Sequence, residues 1–391
     1  MVKLALNTIV KNESHCILGM LEAAAKISDL IVILDTGSTD GTQDIIKNFG
    51  KENNIPTYVF ERPFDSFDKS RTFGMEKLRE VIKELGWNLN EVWGWWCDAD
   101  EKIIVDPKFD KKQFNKDLFM INTRIGAMEY TRNTFWRTSL PFEFYGPIHE
   151  YIICKEPNIT SGLATDIYVD VKMIGNSWTQ DVSMKYISHA HTLEKYIAEN
   201  RSDARWIFYT AQSYHDSSCM KDNREENEER LRRSLKYYRE RVNRVDGYPE
   251  ERYYSQLRIG SIMKMLEMPW EECLQELLKA YAMDPLRGES IKAIVDYYVG
   301  VNEWNLAYLY SKFLKVNFHG NNPYPKRLLF VDNSLYAWKI LEMHSIICFY
   351  TGRSDEAKSN YRELVEVIRK NPELFSQDDI NKIKSNEQHF K

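Results

Sequence analysis

Cysteine is scarce in this chain. Its six cysteines (Cys16, Cys97, Cys154, Cys219, Cys273 and Cys348) are scattered, with no Cys-x-x-Cys pair and no recognised zinc spacing. That pattern argues against a disulfide-stapled secreted scaffold and fits free thiols in a reducing compartment. Long hydrophobic runs are missing too: none approaches the roughly 20 residues needed to cross a bilayer, and the N-terminus does not read as a signal peptide. A soluble, cytoplasmic protein without a transmembrane segment is therefore expected. Neither sign of charge is in excess, with 53 Lys and Arg against 58 Asp and Glu and a net charge of −5, which speaks against a nucleic-acid partner. The most basic stretch, Arg224 to Arg244, alternates with glutamates and reads as a solvated helix face. A length of 391 residues leaves room for two domains, each with its own core.

The first fifty residues alternate strand and helix. Leu4–Val10 reads as a strand, Lys11–Ser14 as a polar turn, and Cys16–Ile27 as an amphipathic helix. Ile31–Leu34 has the short, wholly apolar form of a buried parallel strand. It stops at Asp35-Thr36-Gly37-Ser38-Thr39-Asp40-Gly41-Thr42, turn chemistry that leads into a helix reaching about Phe49. In such a β-α-β-α unit ligands lie at the carboxyl ends of the strands, where Asp35 can accept hydrogen bonds from a nucleoside. The alternative is that this turn only caps the next helix, with Thr39 or Asp40 near the N-cap, and the two readings are compatible. Farther on, Trp95-Trp96-Cys97 reads as a strand running into Asp98-Ala99-Asp100-Glu101. Alternate residues there face the same way, so Asp98 and Asp100 can form an oxygen site for Mg²⁺ or Mn²⁺, and such a metal clamps a diphosphate.

Asn12-Glu13, then Val32 to Thr42, then Asp98 to Glu101, taken in that order, resemble the family 2 glycosyltransferases, which have the GT-A fold. Phe64 to Arg71 resembles the family's segment in which an acidic residue, here Asp68, and an arginine, here Arg71, face the donor. Where that family usually has Ala-Arg-Asn, this chain has Ser70-Arg71-Thr72. The resemblance implies a Rossmann-like nucleotide-sugar domain over residues 1–192. It also implies a metal-dependent transferase that moves a sugar, with inversion, from a nucleotide-diphosphate donor such as a UDP-sugar. Asn7, Asp35, Asp68, Arg71 and Asp98 are then expected on the donor side, with Asp98 and Asp100 on the metal and Glu101 in support behind them. Inversion needs a base for the acceptor proton. Tyr145-Gly146-Pro147-Ile148-His149-Glu150 resembles a Gly-x-x-His-Glu element of the branch of the family with a helical extension. It offers Glu150 as base and His149 as an orienting group. Tyr186–His189 reads as a last strand, on which His189 and His191 would share a face and supply a further ligand, better suited to Mn²⁺ than to Mg²⁺. Asn122, Arg124, Arg132 and Asn133 are candidate sugar-pocket residues without a fixed place, and UDP-glucose, UDP-galactose and UDP-N-acetylglucosamine all stay open.

From about Leu193 the character changes to helices in pairs: Leu193–Ser213 with Asn223–Val245, Glu250–Glu267 with Trp270–Met283, Glu289–Val301 with Glu303–Val316, and Ser334–Tyr350 with Asp355–Lys370. Units of about 33–40 residues with two helices each resemble tetratricopeptide repeats. An all-α, TPR-like array over residues 193–391 is expected, with Phe318–Pro325 as its clearest break. Such arrays stack into curved surfaces that hold extended partners. The tyrosines at 237, 238, 253, 254, 297, 298, 308 and 310 are read as core stripes, with a groove for a peptide or glycan as the alternative. Presentation of a polypeptide or glycan acceptor and self-association as a homodimer are the two roles open to the array. Two other classes of function remain. One is a nucleotidyltransferase, disfavoured because Asn7 to Asn12 contains no glycine; the other is a non-catalytic scaffold with a vestigial α/β domain.

Overall fold

The computed structural model describes residues 1–125, 128–172, 174–175, 181–199, 203–218, 223–320 and 329–390. Cys219, positions 321–325 of the expected break and positions 200–202 of the expected helix Leu193–Ser213 lie outside the described residues. The chain divides into two compact units, Met1–Arg201 and Ser202–Lys391: a sheet domain followed by a helical array.

The first unit runs β1 (Lys3–Val10), α1 (Ile17–Ala24), β2 (Leu30–Asp35), α2 (Thr42–Glu52), β3 (Thr57–Glu61), α3 (Phe67–Glu84) and β4 (Val92–Trp95). It continues through β5 (Glu101–Val105), β6 (Leu118–Ile125), β7 (Met128–Arg137), β8 (Phe142–Tyr145), β9 (Tyr151–Cys154) and β10 (Ser161–Val171) to α4 (Val182–Glu199). One sheet has the order β3-β2-β1-β4-β7-β6-β10-β5, and β8 pairs with β9 in a separate hairpin. The β3-β2-β1-β4 half is parallel throughout. Beyond it β7 is antiparallel to β4 and β6, while β10 runs parallel to β6 and antiparallel to β5.

Strand β2 is buried along its whole length, as its apolar run predicts. Its alternate residues feed two cores. Ile31 and Ile33 join Leu4 and Leu6 of β1 against Ile17, Met20 and Leu21 of α1 and Ile46 and Phe49 of α2. Leu30 and Val32 join Ala5 against Met75, Leu78, Val81 and Ile82 of α3. Each such aliphatic side chain contributes about 1.5–3 kcal/mol when fully buried. The chain leaves β1 toward β2 and β3, then returns through α3 to β4 on the other side of β1. Strand order therefore reverses between β1 and β4, and a crevice is expected outside their carboxyl ends.

Two local expectations are corrected. The strand before the Asp-x-Asp ends at Trp95, so Asp98 and Asp100 sit in a tight turn closed by Glu101 N–H on the Asp98 carbonyl at 3.1 Å, not on a strand. The segment expected as a last strand, Tyr186–His189, lies inside helix α4. Its buried residues Ala190, Leu193 and Ile197 follow helical spacing, which overrides the local strand preference of Tyr186-Ile187. Residues 192 and 193, where the sequence divides sheet domain from array, also lie within α4.

The second unit is α5 (Ala204–Ser218), α6 (Arg224–Asn243), α7 (Pro249–Met265), α8 (Trp270–Met283), α9 (Glu289–Gly300), α10 (Trp304–Phe318), α11 (Ile340–Tyr350), α12 (Ser354–Lys370) and α13 (Gln377–Ser385). Pairs α5–α6, α7–α8, α9–α10 and α11–α12 pack as hairpins, in the order anticipated. Gly260 lets α7 and α8 come close, since a Cβ there would stand 2.7 Å from Leu277 Cγ. Tyr238, Tyr253 and Tyr298 are buried, and Tyr254, Tyr297, Tyr308 and Tyr310 pack against the core. The tyrosine stripes are thus chiefly core. Helix α13 was not anticipated, although Ser376 and Asp379 form a capping box that marks its start. No helix among the described residues is long and apolar enough to cross a membrane.

Candidate active site

The site is built at the carboxyl ends of β1, β2 and β4. Register places Val10 beside Asp35 and Leu6 beside Trp95, so the loops that follow emerge on one edge of the sheet. The loops after β1 and β2 are fastened together. Asn12 N–H donates to Ser38 Oγ at 2.8 Å, Glu13 N–H to Thr42 Oγ1 at 2.9 Å, and Ser14 N–H to Asp40 Oδ2 at 3.0 Å. Asn12 Oδ1 accepts from Thr39 N–H at 2.8 Å. Asn12 has a φ of +56°, a left-handed conformation that asparagine tolerates better than most residues. Asp35 is buried. Its Oδ1 accepts from Gly37 and Ser38 N–H at 2.8 and 2.7 Å, and its Oδ2 is buried without a hydrogen-bond partner.

Arg71, on α3, is the hub. Its side chain is only 7% exposed, and it binds Glu150 Oε1 through Nε at 2.7 Å and Asp98 Oδ1 through Nη2 at 2.6 Å. The surface ion pair with Asp68 or Glu61 that its sequence neighbours suggest is not formed. The guanidinium lies 4.5 Å from the centre of the Trp96 ring, and that of Arg132 lies 4.1 Å from the same ring. Arg132 grips Glu101 with two hydrogen bonds of 2.6 and 2.5 Å. Glu101 in turn accepts from Asp98 N–H at 2.8 Å, which fixes the turn. Thr72, which departs from the family's Ala-Arg-Asn, ties α3 to β8: its Oγ1 accepts from Phe144 N–H at 3.0 Å. That contact fixes α3 against the hairpin whose turn carries His149 and Glu150.

The two metal-motif carboxylates differ. Burial opposes ionisation of Asp98, yet Arg71 and Arg132 outweigh it and hold its carboxyl below the ordinary aspartate range. Burial and the neighbouring Asp98 charge push the Asp100 carboxyl up, and they outweigh a 3.2 Å hydrogen bond from Gly175 N–H, one from its own backbone N–H and the charge of Lys185. A Cβ at Gly175 would stand 3.0 Å from Asp100 Cγ, so any larger residue there would press the Asp100 side chain aside by a few tenths of an ångström. Lys185 of α4 adds positive charge beside Asp98 and Asp100. Four carboxylates (Asp98, Asp100, Glu101 and Glu150) therefore meet three basic groups (Arg71, Arg132 and Lys185).

The histidines divide. The His189 ring stands 6.3 Å from the His149 ring. Burial and nearby Lys185 lower its pKa to about 4, and its Nδ1 is buried without a hydrogen-bond partner. His191 is exposed. On a helix, residues two apart point about 200° away from each other, so the shared face expected of His189 and His191 does not exist. Of the donor-side residues, Asp35 and Asp98 follow the ends of β2 and β4 and Arg71 reaches Asp98 from α3, whereas two others are placed differently. The Asn7 amide donates to the Val32 and Gly74 carbonyls at 3.1 Å each, joining β1 to β2 and α3. Asp68 bonds Ser66 and the Lys69 N–H in the first turn of α3, and it lines a cleft of 360 Å³ with Thr72, Glu76 and Tyr145. The pocket candidates also separate. Arg132 belongs to the cluster, and the Asn133 carbonyl accepts from Trp96 Nε1 at 2.9 Å. Arg124 lies over Tyr168, and Asn122 Oδ1 is buried without a hydrogen-bond partner. Lys185 and Gly175 escaped sequence reasoning, because no local pattern links them to a turn so far upstream.

A scan against protein-family models and a search of curated proteins each gave no match. Among solved structures, S. aureus TarS 1–349 in complex with UDP is similar over 68% of this chain and 90% of its own, with a TM-score of 0.34 and 14% identity. MamA is similar over 50% of this chain and 98% of its own, with a TM-score of 0.33 and 12% identity. Yeast Tom70 is similar over 50% of this chain and 42% of its own, with a TM-score of 0.27 and 12% identity. Likeness at this level assigns the chain to no family.

Proposed function

We propose that the sheet domain, Met1–Arg201, is a GT-A-type catalytic domain of an inverting, metal-dependent glycosyltransferase. It uses a nucleotide-diphosphate sugar, with UDP as the favoured nucleotide, and a polypeptide or glycan as acceptor. The TPR-like array, Ser202–Lys391, presents that acceptor. The observation that carries this reading is the bridge made by the buried Arg71 between Asp98 and Glu150, which joins a metal-motif carboxylate to the candidate base in one ion-pair network.

A site with four carboxylates against three basic groups repels a diphosphate unless a cation joins it. A divalent cation is the proposed partner: Asp98, with 40% of its side chain exposed, and Asp100 would supply hard oxygen ligands and His189 its unpartnered Nδ1, although the three are not gathered into one set of ligand atoms within 4.8 Å. When bound, Mn²⁺ or Mg²⁺ supplies Lewis-acid stabilisation of the leaving diphosphate. The chain's own groups do the rest. Arg71 holds Glu150 in place, and Glu150 takes the acceptor hydroxyl proton as the new glycosidic bond forms and the bond to the diphosphate breaks. Lys185 adds positive charge on the side of the leaving group, and Asp35 Oδ2 accepts a hydrogen bond from the nucleoside.

The test is nucleoside-diphosphate release from a panel of nucleotide-sugars with Mn²⁺, with Mg²⁺ and with EDTA, in the wild type and in Glu150→Gln and Asp100→Asn. One UDP-sugar is expected to release UDP only with metal. Glu150→Gln should bind that donor with unchanged affinity yet lose transfer, and Asp100→Asn should lose metal-dependent turnover while staying folded. Release that is indifferent to EDTA, or normal transfer by Glu150→Gln, would sink the mechanism. Pyrophosphate release from a nucleoside triphosphate and a sugar phosphate would point to a nucleotidyltransferase instead.

A further inference from the structure

We propose that His344, Cys348 and Glu356 form a zinc-binding site that staples α11 to α12 inside the helical array. His344 and Cys348 lie four residues apart on α11 and so share one face of that helix. Glu356 reaches the same point from the first turn of α12. The three candidate ligand atoms all lie within 4.8 Å of one another.

The two distances from His344 Nε2 are close to those of a tetrahedral ion. Zinc bonds of about 2.0–2.2 Å to nitrogen or oxygen and about 2.3 Å to sulfur, opened to a tetrahedral angle, set ligand–ligand edges of about 3.4–3.6 Å. His344 Nε2 lies 3.6 Å from Cys348 Sγ and 3.2 Å from Glu356 Oε1. The histidine is also oriented as a ligand should be, because its other nitrogen, Nδ1, faces Ser311 Oγ at 2.8 Å and so leaves Nε2 for the ion. Imidazole and thiolate are softer donors than an all-oxygen set and select zinc over magnesium or calcium. With three protein ligands the fourth position falls to water, and the Cys348 proton passes to solvent as the zinc–sulfur bond forms.

One group competes. Lys312 Nζ forms an ion pair with the same Glu356 Oε1, while Tyr308 donates to Oε2 at 2.8 Å. With 45% of its side chain exposed, Lys312 can turn into water when a cation takes its place. The inference does not depend on the proposed transferase activity and can fail or succeed without it.

The experiment uses the full chain carrying Cys16→Ser, which removes the second thiol-containing group of potential ligands among the described residues, Glu13, His15 and Cys16. Zinc affinity is measured against a chromophoric chelator, and Co²⁺ is used as a spectroscopic probe. One equivalent of Co²⁺ should give a thiolate-to-metal charge-transfer band. Cys348→Ser should abolish the band and weaken zinc by more than tenfold. Ser311→Ala should weaken zinc by about tenfold or more, as expected on removing a partner that orients a ligand. Lys312→Met should tighten zinc several-fold, a gain that unfolding cannot mimic. Absence of the charge-transfer band in the Cys16→Ser chain, or equal zinc affinity with and without Cys348, would overturn the proposal.

Discussion

Each half of the chain buries arginine, and the two halves use it differently. In the array, Arg241 is fully buried and every nitrogen is engaged: Nε on Glu251 at 3.1 Å, Nη1 on the Arg244 carbonyl at 3.1 Å and Nη2 on the Tyr248 carbonyl at 2.8 Å. Its carboxylate partner is 2% exposed. Arg287 repeats the pattern with Glu250, Glu289 and the Leu329 carbonyl. Arg71 in the sheet domain leaves Nη1 buried without a hydrogen-bond partner, and one of its two carboxylates, Asp98, opens to solvent. A closed, fully satisfied ion pair joins two helices. An open one, with a donor to spare and a half-exposed carboxylate, has capacity left for a ligand.

The comparison breaks if the two arginines respond alike to removal. On the proposed function, Arg71→Met should lower nucleotide-sugar turnover on the order of a hundred- to a thousand-fold, since a charged donor and the tether of Glu150 go together. Its unfolding midpoint in urea should fall by less than that of Arg241→Met, because water reaches the freed Asp98 and only Glu150, 10% exposed, is left as a poorly solvated charge. Arg241→Met should cost about 3 kcal/mol in the same urea titration, because the buried Glu251 is left with Arg205, 3.8 Å away, as its remaining cationic partner. The double replacement Arg241→Met with Glu251→Met should recover most of that loss. If the Arg71 variant proves the less stable of the two, the contrast between open and closed pairs fails.

A smaller effect sharpens the contrast within the site, and its sign differs between the two aspartates. The folded-state pKa of Asp98 is depressed, so its contribution to stability is present above the unfolded value of about 3.9 and is lost as pH falls through the folded value. The pKa of Asp100 is raised, so its charged form opposes folding at neutral pH, and that cost disappears as pH falls and the group protonates. Asp98→Asn should therefore destabilise the apo protein at pH about 7, and Asp100→Asn should stabilise it. Both differences should shrink below a pH of about 4. Paired denaturant titrations at the two pH values read this directly, and a destabilised Asp100→Asn at neutral pH would contradict the electrostatic account.

Much of the scaffold was legible because its signals are local. The apolar run Ile31–Leu34, the turn from Asp35 to Thr42 and the periodicity of the helical hairpins all act over a few residues. The same holds for Asp98-Ala99-Asp100, Arg71 and Glu150 as chemical types. The partners of those residues were not legible. Nothing near Arg71 in sequence indicates that it meets Glu150, 79 positions away, or that Arg132 closes on Glu101. The misreading of Tyr186–His189 has the same origin: a short Tyr-Ile segment looks like a strand until the burial of Ala190, Leu193 and Ile197 decides for a helix. Chemical identity can be read from the string, but pairing is set by the sheet order.

The cross-links between the loops after β1 and β2 bear on motion. Asn12, Glu13 and Ser14 each spend a backbone amide on a side chain of the second loop, and Thr39 returns the bond to Asn12. Neither loop can open and leave the other's hydrogen bonds intact. In amide hydrogen exchange the two loops should therefore behave as one cooperative unit, with Asn12, Glu13, Ser14 and Thr39 sharing a single opening free energy. A nucleotide that contacts only one loop would slow exchange in both.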